Sequence, residues 1–205
     1  MKKLLNTVNY FTNFDLSKFI NKKNVNVYLD RYKKKNLVYR IKQWIYVTRE
    51  RIEYIEKLWK KTEYLSFLAT SVMVTPSYLS SVYILSINNI LTESAFSMTM
   101  VTTKNKKVIS NDFWVFSYQN ISEELFRWYE RKEEFWFIYY RAYPEKALLD
   151  RLWLKKDIHY SLDYFKELRL NIDLLNFKRL EKFVKQFNRK KIEKCFYYLK
   201  QLKWF

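Results

Sequence analysis

Residues 143 to 150 have the sequence Tyr143-Pro144-Glu145-Lys146-Ala147-Leu148-Leu149-Asp150, which is typical of the beginning of a helix. Proline suits the first helical position because its missing N–H is not needed there. Glu145 lies in the first turn, where the helix dipole favours an anion. Lys146 and Asp150 are four residues apart and can pair on one helix face. The octet therefore predicts a helix from Pro144.

The segments around this octet predict alternating blocks of helix and strand. Apolar spacing predicts helices at 63–72, 78–87, 144–154, 161–168, 175–187 and 189–202, with Ser161 and Asn188 as caps. Alternating or continuous apolar, β-branched and aromatic residues predict strands at 96–103, 107–109, 113–119 and 135–141. The chain downstream of residue 61 therefore predicts a helix–small β-sheet–helix domain.

The first fifty residues predict a helix-turn-helix. Met1–Tyr10 is a candidate first helix. Asn13 or Asp15 can cap a short second helix, Leu16–Ile20, in which Leu16, Phe19 and Ile20 face inward. After a turn at 21–24, residues 25–35 form the third helix, and apolar side chains three and four residues apart mark its buried face. These side chains are Val25, Tyr28, Leu29 and Tyr32.

Two short strands follow, at 37–41 and 45–47, and predict a hairpin that would serve as a wing. The charged segment 48–61 predicts a connector helix. The expected fold class is therefore α+β, with a winged helix-turn-helix at residues 1–61 and the helix–sheet–helix domain at residues 62–205.

Composition narrows the class of protein. Hydrophobic residues make up 49% of the 205 residues and charged residues 29%, which predicts a packed core. No run of 18 apolar residues suggests a membrane span, and the beginning of the chain lacks a signal-peptide core. We therefore expect a cytoplasmic protein. A single cysteine, Cys195, and a single histidine, His159, predict neither a disulfide nor a zinc site.

The net charge of +18 is distributed unevenly along the chain. Residues 1–61 carry 16 Lys/Arg and 5 Asp/Glu, residues 62–160 carry 11 of each, and residues 161–205 carry 12 and 5. Two basic ends around a neutral middle favour binding to a polyanion. A lysine-rich composition of the kind that an AT-rich genome produces would explain the total charge, but not its absence from the middle.

The octet also resembles a motif of the AbiEi-type antitoxins, which are transcriptional regulators of type IV toxin–antitoxin systems. Residues 76–85, Pro-Ser-Tyr-Leu-Ser-Ser-Val-Tyr-Ile-Leu, resemble the "SYISLESAL" helix of that family. Residues 91–96, 101–103 and 116–118 follow in the family's order, and the wing segment 36–47 resembles its N-terminal domain. The ordered set covers roughly residues 10 to 190.

The resemblance implies a protein with two parts. The N-terminal winged helix would bind double-stranded DNA at its own promoter and repress it. The C-terminal domain would counter a nucleotidyltransferase-like toxin, with or without direct contact. A stand-alone winged-helix regulator without a toxin is the alternative, and the gene next to this one would distinguish the two.

The basic third helix and the wing form the candidate DNA interface. DNA binding needs cations for the phosphates and a few side chains that reach base edges. Asn26 suits adenine and Arg31 suits guanine if the helix enters the major groove. A solvated lysine-rich helix face is the plain alternative. The candidate DNA-binding residues are Lys23, Asn24, Asn26, Arg31, Lys34, Arg40 and Lys42.

The motifs that carry the resemblance also contain polar residues, for which we expect structural roles. These residues are Ser77, Tyr78, Ser80, Glu145, Lys146 and Asp150. The C-terminal helices carry a further basic set, which could meet an acidic toxin surface, flanking DNA or only solvent. Its members are Lys178, Arg179, Lys182, Lys185, Arg189, Lys190, Lys191 and Lys194, beside a predicted buried stripe of Phe177, Leu180, Val184 and Phe187.

Other classes of function are less favoured by the sequence. Without glycine there is no glycine-rich phosphate loop and no G-x-S-x-G motif. Glu130-Arg131-Lys132 has the E-x-K spacing of some nucleases, but it lies in a charge run, residues 127–134, that predicts a loop or a frayed helix. The aromatic residues recur at core spacing, which argues against a membrane-surface helix. We expect no enzyme, no cofactor and no metal.

Glycine is absent from all 205 residues, although about 7% is usual, and tryptophan occurs seven times. Trp44, Trp114 and Trp128 fall where the resembled family tends to have glycine, and tight turns often need the positive φ that glycine adopts freely. One hypothesis is that some of these codons are UGA and are decoded as glycine in the cell. Drift under AT bias is the alternative. Asn89 also stands at a common glycine position, and asparagine tolerates a positive φ.

Overall fold

The computed structural model describes residues 7–203, and its fold is mixed α+β. The chain divides into two compact units. The first extends to Leu65 and also includes Ile109–Trp114. The second comprises Ser66–Val108 and the chain from Val115 onward. The sequence placed the domain boundary between residues 61 and 62. The predicted first helix, Met1–Tyr10, lies largely outside the described residues.

The first unit contains three short strands with helices around them. The strands are β1 (Phe11–Thr12), β2 (Val38–Lys42) and β3 (Ile45–Thr48), and they pair antiparallel in the order β1-β3-β2. The helices are α1 (Asn13–Ser17), α2 (Val25–Lys34), α3 (Arg49–Lys57) and the beginning of α4 (Lys61–Phe67), with a 3-10 turn at Lys22–Asn24.

The core of the first unit holds α1 and α2 against the sheet. Burial of apolar side chains is the dominant driving force for this packing. The predicted inner face of α2 is confirmed, since Val25 and Leu29 are buried while Tyr28 and Tyr32 pack against the same cluster. The buried members of this cluster are Phe11, Leu16, Val25, Leu29, Val38 and Tyr46.

Three details of the predicted second helix were wrong: its cap, its bounds and the burial of Phe19. Thr12, rather than Asn13 or Asp15, is the N-cap of α1. The Thr12 hydroxyl accepts from the Asp15 amide, and the Asp15 carboxylate accepts from the Thr12 amide, which is a capping box. The helix therefore begins three residues earlier and ends at Ser17. Phe19 lies beyond its end and is 48% exposed instead of buried.

The second unit is built on a mixed sheet. Its order is β6-β7-β5-β4-β9-β8, with β5–β7 and β4–β9 parallel and β4–β5 and β8–β9 antiparallel. The strands are β4 (Ser77–Leu79), β5 (Met98–Thr102), β6 (Lys107–Ser110), β7 (Val115–Asn120), β8 (Tyr129–Glu134) and β9 (Phe137–Ala142).

Helices precede and follow the strands of the second unit. Between α4 and β4 the chain forms a π-helical segment, Leu68–Met73. The predicted helix at 144–154 is confirmed, with Pro144 as its first residue. The remaining helices, close to their predicted positions, are α5 (Ser81–Ile87), α6 (Pro144–Leu154), α7 (Leu162–Glu167), α8 (Phe177–Phe187) and α9 (Lys190–Lys203).

Two strands of this sheet were not predicted from the sequence. Tyr78 and Leu79 were expected to begin the helix at 78–87, but they belong to the strand Ser77–Leu79, which is buried on both faces and so shows no alternation. Tyr129–Glu134 was expected to be a loop or a frayed helix, but it is β8, at one edge of the sheet. Charged side chains suit an edge strand because they discourage pairing with another chain.

Several turns place residues other than glycine at positive φ. Trp44 and Trp128 have φ values of 65° and 61°, and Asn89 has 56°. Trp114 does not have a positive φ, so the turn argument for glycine fails at that position. Trp59 and Trp136, which the sequence analysis did not single out, have φ values of 57° and 56°. A left-handed conformation costs a residue with a Cβ atom about 1–2 kcal/mol relative to glycine.

Candidate nucleic-acid interface

Helix α2 presents one buried side and one polar side. Asn21 caps the 3-10 turn before it, because its side-chain oxygen accepts from the Lys23 amide at 3.0 Å. Burial of Val25 and Leu29 against the core fixes the rotation of the helix about its axis. The opposite side therefore faces solvent, as the predicted interface requires. Its exposed residues are Asn26, Val27, Asp30, Arg31 and Lys34.

Spacing along the helix aligns a stripe on this side. Val27, Arg31 and Lys34 follow one another at intervals of four and three residues, so they lie above one another on the surface, and Lys23 is exposed in the 3-10 turn before the helix. Asn26 and Asp30 form a neighbouring row. Five of the seven predicted DNA-binding residues, Lys23, Asn24, Asn26, Arg31 and Lys34, are exposed on this turn and helix.

The remaining two predicted residues, Arg40 and Lys42, belong to β2. Arg40 is exposed and Lys42 is half-buried beside the turn to β3. Hydrogen bonding and attraction from Lys33, whose Nζ lies 2.8 Å from the Asp30 carboxylate, hold the pKa of Asp30 below its usual value. Lys34 and Arg40 contribute to the same effect. The structure therefore brings Arg40 into the electrostatic environment of α2.

A cavity of about 530 Å³ lies between the turn of the hairpin and the beginning of α1. Trp44 is at positive φ in that turn and is 62% exposed, while Phe14 on the other side is 70% exposed. The cavity is therefore an open groove at the rim of the basic face. Its lining residues are Thr12, Asn13, Phe14, Lys42, Gln43, Trp44 and Ile45.

The sequence analysis missed one polar contact at this face. The Asn13 side-chain amide donates to Oδ1 of Asn26 at 3.3 Å. Asn13 is the first residue of α1, and the Thr12–Asp15 capping box fixes the beginning of that helix. Thirteen residues separate the two asparagines, so no local spacing predicts the pair. The consequence is that α1 orients a side chain on the exposed face of α2.

In the second unit, four of the six motif residues form a buried polar cluster. Lys146 and Asp150 are both fully buried, and Lys146 Nζ lies 2.5 Å from Asp150 Oδ1. Ser80 and Tyr78 donate to Asp150 Oδ2 at 2.7 Å and 3.1 Å. The predicted pair on one helix face is confirmed, although the pair faces the core instead of solvent. Each oxygen of the carboxylate is thus satisfied by protein donors.

Burial governs the proton affinities in this cluster. Burial raises the pKa of Asp150 and lowers that of Lys146, and the attraction between the two groups opposes both shifts. Burial and the neighbouring Asp150 carboxylate raise the pKa of Tyr78 well above its usual value. Rings of Phe187 and Trp128 lie 5.1 Å and 5.5 Å from Lys146 Nζ. This environment excludes water and is typical of a structural ion pair.

The other two motif residues lie outside this cluster. The Ser77 hydroxyl donates to the Val74 carbonyl at 2.6 Å and closes a local turn. Glu145 accepts from the Asn176 amide at 2.8 Å and pairs with Arg179 at 3.4 Å. The motif residues therefore tie β4, α6 and the beginning of α8 together, which agrees with the structural roles expected of them.

Part of the basic set on the C-terminal helices is engaged in structural contacts. Arg189 pairs with Glu124 at 2.7 Å, and Lys191 Nζ donates to the Trp153 carbonyl at 2.8 Å and to the Lys155 carbonyl at the end of α6. Such contacts satisfy helix C-terminal carbonyls. Lys178, Lys182, Lys190 and Lys194 are exposed. The predicted stripe is buried at Leu180, Val184 and Phe187, with Phe177 half-buried.

The E-x-K segment, whose spacing occurs in some nucleases, takes part in ion pairs on the sheet. Glu130 of the E-x-K spacing lies on β8, 2.8 Å from Arg141 and 3.2 Å from Lys132. Burial raises the pKa of Glu130, but these two cations outweigh it and leave the pKa lowered. Within residues 7–203, His, Cys, Asp and Glu form no group of three or more that could hold a metal ion. No helix in the part of the chain that the structure describes is long and apolar enough to cross a membrane.

No protein-family model matches the chain, and a search of curated proteins finds no match to it. The resemblance to AbiEi-type antitoxins therefore stays a prediction that rests on the motifs of this sequence.

Proposed function

We propose that this chain is a DNA-binding autorepressor and the antitoxin of a type IV toxin–antitoxin system. The observation that carries the proposal is the exposed polar face of α2 with Arg31 and Lys34, together with exposed Lys23 in the turn before it and exposed Arg40 on β2. Duplex DNA presents a dense row of phosphates, and aligned lysine and arginine side chains gain affinity by displacing its counterions. The partner is double-stranded DNA at the gene's own promoter.

In this proposal the first unit is a winged helix-turn-helix. α1 and α2 are the two helices of the motif, and they share the core formed around Leu16, Val25 and Leu29. The second helix of such a motif enters the major groove with its N-terminal residues at the base edges. The β2–β3 hairpin is the wing, and Arg40 and Lys42 contact the sugar–phosphate backbone. No catalytic step and no cofactor are assigned, and the protein acts in the cytoplasm.

Gel shifts with the full-length protein and the gene's upstream region test the DNA-binding part. Arg31→Ala should weaken specific binding by about 1–3 kcal/mol and relax the sequence preference if Arg31 contacts a base. Lys34→Ala should weaken binding to every duplex alike and reduce the salt dependence by about one counterion. Lys57→Ala, an exposed lysine at the end of α3, is the matched control and should change neither. Unaltered binding by all three variants would contradict the proposal.

The antitoxin part rests on the resemblance of residues 76–150 to the family. The function of the second unit is to counter a nucleotidyltransferase-like toxin, and direct contact is not required for this. Co-expression of the full-length protein from an unrelated promoter should rescue growth from the product of the neighbouring gene. Arg31→Ala should still rescue growth while losing repression of the native promoter. Loss of both effects together would contradict the separation into two functions.

A stand-alone winged-helix regulator is the second candidate. The same face of α2 supports it, since the DNA-binding surface does not depend on a toxin. It predicts that no neighbouring gene encodes a nucleotidyltransferase-like protein and that deletion of this gene changes transcription without affecting growth through a toxin.

A further inference from the structure

The exposed side of α2 contains one apolar side chain among polar ones. Val27 is 60% exposed, and its exposed neighbours on the helix are Asn26, Asp30, Arg31 and Lys34. Valine is a poorer helix former than alanine, lysine or glutamate, so helix stability does not account for it. Val27 makes no contribution to the core cluster on the opposite side. It lies in one row with Arg31 and Lys34.

The residue next to Val27 has a hydrogen-bond partner on α1. The Asn13 amide nitrogen donates to Oδ1 of Asn26 at 3.3 Å, which favours one direction of the Asn26 side chain. Its carbonyl oxygen keeps a second lone pair, and both N–H groups of its amide can still donate. An asparagine in this state can donate to N7 of adenine and accept from the N6 amino group at the same time.

We propose that α2 recognises a step of A·T base pairs, with Asn26 on adenine and Val27 on the C5 methyl group of thymine. Asn13 is a positioning residue, because it acts through Asn26. This inference rests on the proposed DNA-binding function and specifies which base pairs the helix reads. Thymine presents its methyl group in the major groove, where an exposed aliphatic side chain between polar ones matches it.

The size of each effect follows from the groups involved. Burying one methyl group against Val27 corresponds to about 0.8 kcal/mol, so its loss should weaken binding about fourfold. Loss of a bidentate contact between Asn26 and adenine should weaken binding roughly 5- to 150-fold. Neither change removes a phosphate contact, so the salt dependence should stay the same.

Duplexes with single-atom or single-group changes test the inference in the full-length protein. Deoxyuridine in place of one thymidine at a time removes only the methyl group. The affinity of wild type should fall about fourfold when deoxyuridine replaces one or two particular thymidines. Val27→Ala should bind the unmodified duplex about fourfold more weakly than wild type does, and deoxyuridine at those positions should not change its affinity further. Val27→Ala keeps or improves helix propensity, so it folds. Equal sensitivity of wild type and Val27→Ala at every thymine would overturn the role of Val27.

7-Deazaadenine, which lacks the N7 acceptor, tests the asparagine pair. Wild type should bind more weakly when 7-deazaadenine replaces one particular adenine, the one beside the sensitive thymine. Asn26→Ala should bind the modified and the unmodified duplex equally. Asn13→Ala should reduce this discrimination while leaving the salt dependence unchanged, which a general loss of folded protein would not produce. Lys57→Ala is the control. Specific binding without any effect of either base analogue would overturn this inference alone, whereas absence of specific binding by wild type would overturn the proposed function as well.

Discussion

The two units use charged residues four apart in opposite ways. On α2, Asp30 and Lys34 are both exposed, and Lys34 belongs to a surface that a polyanion can reach. On α6, Lys146 and Asp150 are fully buried and are satisfied by each other, by Ser80 and by Tyr78. A charge in the first setting is available to a partner, and in the second it holds strands and helices together. Burial therefore decides whether a charged residue on a helix serves binding or folding.

The largest expected effect comes from breaking the buried pair. Asp150→Ala should lower the free energy of unfolding by about 3–5 kcal/mol, because Lys146 would be left as an uncompensated buried charge. Lys185→Ala breaks a pair of similar spacing on α8, where Lys185 is 76% exposed, and should cost less than about 0.5 kcal/mol. Urea denaturation of both variants measures the contrast. A loss below about 1 kcal/mol for Asp150→Ala would contradict the structural role.

A double variant sharpens the same contrast. Replacing Lys146 and Asp150 together by methionine and leucine should cost less than Asp150→Ala, because a hydrophobic pair leaves no unpaired buried charge. The hydroxyls of Ser80 and Tyr78 would lose their acceptor, so some loss should remain. Urea denaturation also measures the free energy of unfolding of the double variant. A double variant less stable than Asp150→Ala would show that the ion pair stabilises the fold beyond the neutralisation of one buried charge by the other.

Trp44 in the first unit and Trp128 in the second are both at positive φ but differ in their packing. Trp44 is 62% exposed, so Trp44→Gly should remove backbone strain at little packing cost and raise the stability by about 1 kcal/mol. Trp128 stacks on Phe183 at 4.9 Å between ring centroids, so the lost packing in Trp128→Gly should offset that gain. Trp114→Gly is the control without positive φ and should be destabilising.

These variants bear on the hypothesis that some tryptophan codons are decoded as glycine. If the codons for Trp44 and Trp128 are UGA, peptide mass spectrometry of the protein from its native host should show glycine at those positions. UGG codons at both positions would end the hypothesis. A stabilising Trp44→Gly alone would support only the conformational argument.

The smallest expected effect concerns the capping box of α1. Hydrogen bonds from Thr12 hold the pKa of Asp15 below its usual value of 3.8. A lowered folded pKa means that Asp15 stabilises the fold above the unfolded pKa and loses this contribution as the pH falls through the folded value. Wild type should therefore exceed Asp15→Asn in stability at pH 7, and the difference should shrink below about pH 4. A difference that is independent of pH would contradict the charged capping interaction.

Much of the fold followed from periodicity and end signals in the sequence. Pro144 marked the first residue of α6, and the spacing of Val25 and Leu29 gave the inner face of α2. Ser161 was correctly expected to cap α7, since its hydroxyl accepts from the Tyr164 amide. These features depend on residues close together in the chain, where geometry follows directly from the order of residues.

The features that were missed depend on distant residues. The burial of Lys146 and Asp150 requires β4 and Ser80, which follows it directly and lies 70 residues before Asp150. The Asn13–Asn26 contact joins two helices, and β8 needs its partner β9 to be recognisable as a strand. Val27 could have been singled out from the spacing with Arg31 and Lys34, because those residues mark the exposed side.

The central claim is that the exposed side of α2 gives sequence-specific DNA binding. Its most direct test is a titration of the full-length protein against its own upstream region and against a shuffled duplex of the same composition, at several salt concentrations. We predict tighter binding to the native region at every salt concentration, with affinity for both duplexes falling as salt rises. Equal and weak binding to the two duplexes would contradict the claim.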